Sequence, residues 1–270
     1  MAELFKPELS VLKPQWGDVV PTNVEALFTL RTGGVSSGPW GGADGVMGLN
    51  LAEHTGDNAR CVAMNRDILG QMLPANPTWL KQVHSTTVLE LHAGDPLVNP
   101  EADAVVTTEP NVVCAVMVAD CVPVLFATKE GSVVGAAHAG WRGLCAGVLE
   151  ATVERIGALA PETQGIYAWI GPHIGMDDFE VGDDVFEAFH AVDPTLTDND
   201  GRFFKRSEVT GKLTCNLKAL AVKRLHQVGL ATNAIFSVDI STASDGERCY
   251  SYRRDGERSG RHAALIWKSA

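Results

Sequence analysis

Hydrophobic residues recur at helical spacing in four stretches of the chain. The clearest case is Leu144, Val148, Thr152 and Ile156, whose four-residue repeat places them on one face of a helix. The other helices are predicted at about residues 59–73, 181–189 and 217–228, with Asp57 as the N-cap of the first and Gly229 as the C′ residue of the last.

Short apolar runs bounded by turn residues predict strands elsewhere. Residues 102–137 form a β-rich block with strands at 102–108, 112–119, 122–128 and 132–137, the last two joined by a tight turn at 129–131. The C-terminal part returns to strands at about 235–239, 249–252 and 263–267. Because strands cluster instead of alternating strictly with helices, the pattern favours an α+β fold over a doubly wound sheet.

Two polar stretches interrupt this pattern. Residues 33–48 contain seven glycines and predict a long loop, which in a compact domain is often functional. Residues 193–211 indicate an excursion or lid. With no repeat or low-complexity linker, we expect a single domain over residues 1–270.

The charge balance limits the classes of partner. Lys and Arg total 22 and Asp and Glu total 33, a net charge of -11. Nucleic acids and anionic membranes require a basic face, so we expect neither as a partner, although a local arginine cluster would suffice for a small anion. The sequence makes no prediction of oligomeric state.

The N-terminus and the cysteines favour a cytoplasmic protein. No basic segment followed by an apolar one begins the chain, and the apolar stretches are too short to span a bilayer. The six cysteines are scattered without a Cys-x-x-Cys pair, a pattern typical of reduced thiols.

Three segments place a His or Cys where an apolar run meets a turn: 79–84, 118–124 and 136–143. Each such residue alone is more often a packing residue. Together, His84, Cys121 and His138 make the three-ligand set of a catalytic zinc site with a fourth position open, whereas a structural site would need four ligands. Cu²⁺ could replace Zn²⁺ at such a site, as the Irving–Williams order favours copper.

Several further motifs carry a resemblance to a known family. They are Arg31-Thr-Gly-Gly-Val-Ser36, Asn50-Leu-Ala-Glu-His54 with Gly56-Asp57 and Asn65-Arg66, Lys81-Gln-Val-His84, Asp103-Ala-Val-Val-Thr107, Ala119-Asp-Cys-Val-Pro-Val124, His138-Ala-Gly-Trp-Arg-Gly143, Ile170-Gly-Pro172, and Ser251-Tyr-Arg-Arg-Asp255 with Gly260-Arg261. The chain resembles, from about residue 28 to 267, the bacterial laccase-domain family, once labelled polyphenol oxidase and now described as purine nucleoside phosphorylases with adenosine deaminase activity. It departs from the family pattern at Asn216-Leu217 and Ser241-Thr242.

The resemblance implies a four-layer α/β/β/α sandwich with mixed sheets and zinc bound by His84, Cys121 and His138. It also implies phosphorolysis of adenosine, inosine and methylthioadenosine to the free base and (methylthio)ribose 1-phosphate. An open zinc site suits deamination, because the metal activates water. No His-x-Glu pair is present, so Asp120 or Asp103 would have to carry the proton; for Asp120 a turn-capping role is equally open.

Phosphorolysis also requires an anion site, for which arginine is the best suited side chain. Arg31 and Arg142, both in glycine-flanked loops, are the favoured candidates, and Asn50 and Gln82 are further predicted substrate contacts. Other arginines that qualify are Arg253, Arg254 and Arg261.

Two other functions remain open at the level of sequence. A multicopper oxidase needs many His ligands, often in His-x-His pairs, but the chain has eight histidines and none two residues apart, which leaves at most a single copper acting in place of zinc. Alternatively, Cys121 with His138 or His84 forms the nucleophile–base pair of a hydrolase or deamidase. Metal content discriminates between these readings, because a metal-bound thiolate is not free to attack.

Overall fold

Two β-sheets stacked face to face form the centre of the computed structural model, which describes residues 9–270. The strands are β1 Val11–Leu12, β2 Val24–Thr29, β3 Thr32–Ser36, β4 Val88–Glu90, β5 Ala104–Thr107, β6 Cys114–Val118, β7 Val122–Thr128, β8 Val134–Ala139, β9 Ile166–Ile170, β10 Glu180–Val181, β11 Phe204–Arg206, β12 Leu213–Cys215, β13 Ile235–Ser237 and β14 His262–Lys268. The α-helices are α1 Ala59–Gly70, α2 Trp141–Ala146, α3 Val148–Leu159, α4 Asp183–Val192, α5 Leu217–Gln227 and α6 Tyr252–Asp255.

The two large sheets differ in strand direction. The four-stranded sheet has the order β1-β2-β14-β6 and is antiparallel throughout. The six-stranded sheet has the order β13-β9-β7-β8-β5-β4, with parallel pairs at its two edges and antiparallel pairs in its centre. A separate three-stranded antiparallel sheet, β10-β12-β11, stands beside them.

Successive side chains of the central strands point to opposite faces of the sheet, and both faces are covered, which explains why these strands are almost wholly apolar. In β14, Ala264 and Ile266 face the other large sheet, whereas Ala263 and Leu265 face the opposite way into a second apolar cluster. Both faces are therefore buried, as in strands that lie between two layers.

Helices cover the outer face of each large sheet. Helices α2, α3, α4 and α5 pack on the six-stranded sheet through residues such as Leu144, Ile156 and Leu220. Helix α1 packs on the four-stranded sheet through Leu69, beside Leu51. The predicted α+β fold with four α/β/β/α layers and mixed sheets is confirmed.

Most predicted helices and strands are present, with local corrections in the first half of the chain. Helix α1 ends at Gly70. Its N-cap is Asn58 and not Asp57, because the Asn58 side chain accepts the Arg60 N–H. The glycine-rich stretch is not all loop, because it begins within strand β3. The helix predicted through residues 144–156 is two helices, because Gly147 adopts φ 103° and breaks it.

The second half of the chain needs three further corrections. The helix predicted from residue 181 begins at Asp183, since β10 precedes it, and the polar excursion at 193–211 contains strand β11. The strand predicted at 249–252 was wrong: Ser251 caps helix α6 by accepting the Arg254 N–H. Gly229, with φ 93°, is the C′ residue of α5 as predicted. Within residues 9–270, every helix falls short of the length and apolar character that crossing a membrane requires.

Candidate metal centre

A cleft of about 700 Å³ lies at one edge of the six-stranded sheet and contains all three predicted metal ligands. His138 is near the end of β8, and Cys121 comes directly before β7. Because β7 and β8 are antiparallel, with Val122 opposite Ala139 and Pro123 opposite His138, the end of one strand and the start of the other meet at the same edge. Strand pairing alone therefore brings a thiol beside an imidazole.

The three predicted ligands form one compact donor set. One donor atom each from His84, Cys121 and His138 lies within 4.8 Å of the other two, a spacing that small side-chain movements would close to the roughly 4.0–4.4 Å that two bonds to one zinc ion can span. The two imidazole rings meet edge to face with their centroids 4.8 Å apart. A set of two nitrogens and one sulfur at this spacing can hold a metal ion.

Gly140 makes room for this donor set. A Cβ at residue 140 would lie 2.3 Å from His84 Nδ1 and 3.1 Å from Cys121 Sγ, so any side chain there would displace both. The glycine after His138-Ala139 is thus required by the close approach of the backbone to the ligands.

Asp103 connects two of the three ligands. Its fully buried carboxylate accepts a hydrogen bond from His138 Nδ1 at 2.8 Å, which leaves Nε2 of that ring as the donor atom for a metal. The same carboxylate accepts the backbone N–H groups of Val83, His84 and Ser85 at 3.2, 3.0 and 2.6 Å. His84 has φ 59°, a strained value for a residue other than glycine, and these bonds hold it there.

The pKa values within the cluster follow from this arrangement. Burial opposes ionisation of Asp103, but its hydrogen bonds from His138 and Ser85 lower its pKa to about 2. Burial likewise opposes the charge on His138, but the Cys121 sulfur and Asp103 raise its pKa to about 9. The pKa of His84 is lowered by burial and by the neighbouring His138. A metal that binds this donor set must displace the protons that the imidazole and thiol donors hold.

Asp120 is held by segments from three other parts of the chain. Its side chain accepts hydrogen bonds from Thr242 Oγ1 at 2.6 Å, Ser251 Oγ at 3.0 Å and the Arg253 N–H at 2.6 Å. Its backbone has φ 93°, and its carbonyl accepts the Ile174 N–H. The carboxylate thus anchors the residue before Cys121 to the start of helix α6.

Two of the four predicted substrate contacts line the cleft. Arg142 lies there with its guanidinium stacked over the Trp141 ring, 4.4 Å from the centroid. Gln82 also lines the cleft, where its amide pairs with both backbone groups of Met117, at 2.8 and 2.7 Å.

The other two predicted contacts lie outside the cleft. Arg31 is buried, and its guanidinium donates hydrogen bonds to the carbonyls of Gly41 and Gly246, which join two loops. Asn50 is fully buried and binds Asp57 and the Arg261 backbone N–H. The glycine-flanked motifs around both residues build tight turns, and their contacts with substrate stay predictions. Arg254 is also structural, since it donates to the carbonyls of Thr242, Ala243 and Cys249.

Several cleft residues were missed or ranked low from the sequence. Aromatic side chains from separate segments, Trp141, Phe179 and Tyr252, line the cleft together with His54, Arg253 and Arg261. Tyr252, Arg253 and Arg261 belong to motifs that the family resemblance already marks. Phe179 lies in an irregular segment with no sequence signal of its own.

The chain is similar to known proteins over almost its full length. The sequence model of the family described as multi-copper polyphenol oxidoreductase laccase matches residues 25–269. A Haemophilus influenzae protein named purine nucleoside phosphorylase is 42% identical over 262 residues, 96% of this chain and 99% of its own. Purine nucleoside phosphorylase YfiH of Escherichia coli is 44% identical over 259 residues, 95% of this chain and 98% of its own.

Solved structures have the same fold. A Neisseria meningitidis protein shares 39% identity, with a TM-score of 0.83 over 96% of this chain and 99% of its own. YlmD from Geobacillus stearothermophilus shares 28% identity, with a TM-score of 0.79 over 92% and 93%. The resemblance inferred from the sequence motifs is confirmed, and this chain belongs to the family described as multi-copper polyphenol oxidoreductase laccase.

Proposed function

We propose that this chain is a zinc-dependent purine nucleoside phosphorylase that cleaves adenosine, inosine and methylthioadenosine with phosphate and also deaminates adenosine. The observation that carries the proposal is the compact donor set of His84, Cys121 and His138 in the wall of a cleft large enough for a nucleoside. The names of the Haemophilus and Escherichia relatives support the same activity.

The donor set favours zinc. Two imidazole nitrogens, one thiolate and a carboxylate behind one imidazole form the ligand shell that catalytic zinc commonly has, with a fourth position left open. Asp103 fixes the His138 ring through Nδ1, so Nε2 faces the site without further rearrangement. Zinc bound there would supply Lewis acidity at the open position.

The remainder of the cleft suits the two proposed substrates of phosphorolysis. The aromatic side chains of Trp141, Phe179 and Tyr252 offer apolar surface to a purine. Arg142 is exposed in the cleft, and within residues 9–270 its guanidinium makes no side-chain hydrogen bond or ion pair. A free guanidinium of this kind is able to bind phosphate oxygens in a bidentate fork.

For deamination, the assignment of Asp120 as the proton carrier stays a prediction. The carboxylate accepts three hydrogen bonds, which leaves about one of its roughly four lone pairs to take a proton. Asp103 is further from that role, because all its acceptor capacity holds His84, Ser85 and His138 in place.

One geometric feature supports a second candidate function. Cys121, His138 and Asp103 stand in the order of a nucleophile, a base and an orienting carboxylate, with His138 hydrogen-bonded to Asp103 and within 4.8 Å of the Cys121 sulfur. A metal-free chain could use this arrangement as a hydrolase or deamidase. The copper oxidase alternative has less support, since only two of the eight histidines join the donor set. Cytoplasm is the proposed compartment, because all six cysteines are free thiols.

Purified without added metal, the protein is expected to contain about one zinc per chain, since it offers one three-ligand site. Given adenosine and phosphate it should release adenine and ribose 1-phosphate, and given adenosine alone it should release inosine. Elemental analysis with product chromatography measures both. Metal-free protein that hydrolyses amides would support the thiol hydrolase instead, and copper with phenol oxidation would support the oxidase.

Asp103→Asn is expected to weaken zinc binding by about 10- to 100-fold, because it disturbs the carboxylate that orients one ligand and positions another. It should also lower the melting temperature, since three backbone N–H groups lose a charged acceptor. Chelator competition and thermal unfolding measure the two effects. Asp95→Asn, which alters an acceptor of one N–H outside the cleft, is the control. Unchanged zinc affinity in Asp103→Asn would contradict the orienting role.

A further inference from the structure

Arg261 is a partly buried cation that has no anionic partner among residues 9–270. Its backbone is held on both sides, by Asn50 Oδ1 accepting its N–H at 3.0 Å and by its own carbonyl accepting the Leu51 N–H. Its guanidinium lies 5.6 Å from the centroid of the Tyr252 ring and lines the cleft. The backbone of Arg261 is therefore held in place, and its side chain lines the same cleft as the predicted metal ligands.

The guanidinium keeps part of its donor capacity unused. Only Nη1 donates, to the carbonyls of Ser259 and Gly260 at 2.7 and 3.2 Å. Among residues 9–270, Nε and Nη2 have no acceptor, and no carboxylate lies within 4.0 Å of the group. Burial of the guanidinium lowers the pKa of Arg261. By contrast, the partly buried Arg66 and Arg224 each pair with a glutamate.

Buried charges in proteins are usually paired, because taking an ion out of water is costly. Asp120 and Cys121 line the same cleft as Arg261, and the pairing of His262 with Val118 places Arg261 beside the segment that leads to them. Asp120 already accepts three hydrogen bonds from other groups, and Cys121 belongs to the metal donor set. An anion that enters the cleft would complete the environment of Arg261.

We infer that Arg261 forms an oxyanion subsite beside Cys121 that binds the inorganic phosphate used in phosphorolysis. This inference rests on the proposed function for the identity of the anion. Arg142 comes from the start of helix α2 and Arg261 from the residue before β14, and both line the cleft that holds the donor set. Two guanidinium groups that enter the cleft from different segments would hold the phosphate close to the metal position. Asn50, which does not touch the cleft, acts here as a positioning residue for Arg261.

The test uses Arg261→Met, which keeps the apolar stem over Tyr252 and removes the charge. Arg258→Met is the control, since Arg258 is exposed, stacks over the Trp40 ring and does not line the cleft. Binding of inorganic phosphate to the zinc-containing protein without nucleoside is measured by calorimetry, and the KM values for phosphate and nucleoside are measured with zinc content and melting temperature. We expect Arg261→Met to weaken phosphate binding and raise the phosphate KM by at least about tenfold. The nucleoside KM and the zinc content should change little, and Arg258→Met should match the unsubstituted protein.

The inference would be overturned if Arg261→Met bound phosphate as tightly as the unsubstituted protein. It would also be overturned if zinc were lost in proportion to phosphate binding, because Arg261 would then support the metal ligand Cys121 instead of the anion. Should Arg261→Met not fold, Arg261→Lys decides, because lysine keeps the charge but lacks the planar fork. A clear weakening of phosphate binding there supports the subsite, and none contradicts it. If the unsubstituted protein binds phosphate through Arg261 but forms no ribose 1-phosphate, the proposed function fails while the anion subsite stands.

Discussion

Cys121→Ala should abolish both phosphorolysis and deamination, with a loss of at least about a hundredfold in each. The expectation follows from the position of Cys121 in the donor set, because removal of a direct ligand should cost more than the 10- to 100-fold typical for removal of a group that only orients a ligand. Zinc content should fall together with the activities. Rates on adenosine with and without phosphate, and zinc per chain, are the measurements.

The matched controls are Cys61→Ala and Cys145→Ala. Both residues are partly buried, lie in helices α1 and α2, and do not line the cleft. Each substitution should leave both activities nearly intact, because these thiols act as small packing groups. Equal losses in all three variants, with parallel falls in melting temperature, would mean that Cys121 affects stability rather than chemistry.

Arg142→Ala is expected to reduce phosphorolysis far more than deamination. Phosphorolysis requires bound phosphate, whereas deamination requires only water. Loss of a charge-assisted contact costs about 1.5–3 kcal/mol, roughly ten- to a hundredfold in rate. Ribose 1-phosphate and inosine are followed separately from adenosine with and without phosphate.

The fold should survive this substitution, because the Arg142 guanidinium is exposed and its main contact is the Trp141 ring. Arg202→Ala is a suitable control, since Arg202 likewise stacks over the ring of its neighbour, Phe203, but lies outside the cleft. If both products of Arg142→Ala fell in parallel with zinc and melting temperature unchanged, Arg142 would act on nucleoside binding or another step shared by the two reactions.

The sequence predicted the central strands and the meeting of Cys121 with His138 for the same physical reason. Strands β7 and β8 are apolar on both faces, so Cys121 and His138 stand out at their ends, and antiparallel pairing brings those ends together. Hydrophobic pattern and turn position therefore carry enough information for this part of the site.

The surroundings of the ligands could not be predicted in this way. The Asp103 carboxylate accepts the backbone N–H of His84, which has a positive φ. The pattern of side chains along the sequence does not reveal such a backbone contact. Phe179 and Tyr252 come from distant segments that meet only in the folded chain. A polar residue in a glycine-rich motif predicts a tight turn as readily as a binding site, and Arg31 and Asn50 lie in such turns outside the cleft.

The hydrogen bonds of Asp103 also bear on how the protein responds to loss of its metal. Two ligands lie at the ends of paired central strands, and the third sits in a turn fastened to a buried carboxylate, so the donor atoms are assembled by the polypeptide itself. A preformed cavity of this kind differs from a zinc finger, whose folding depends on the ion. If the site binds zinc as proposed, the ion would stabilise the native state through mass action, by about 2.7 kcal/mol when free zinc is 100 times its dissociation constant. The chain without metal is then expected to stay folded and to rebind the ion, so that the supply of the ion would set the fraction of active molecules.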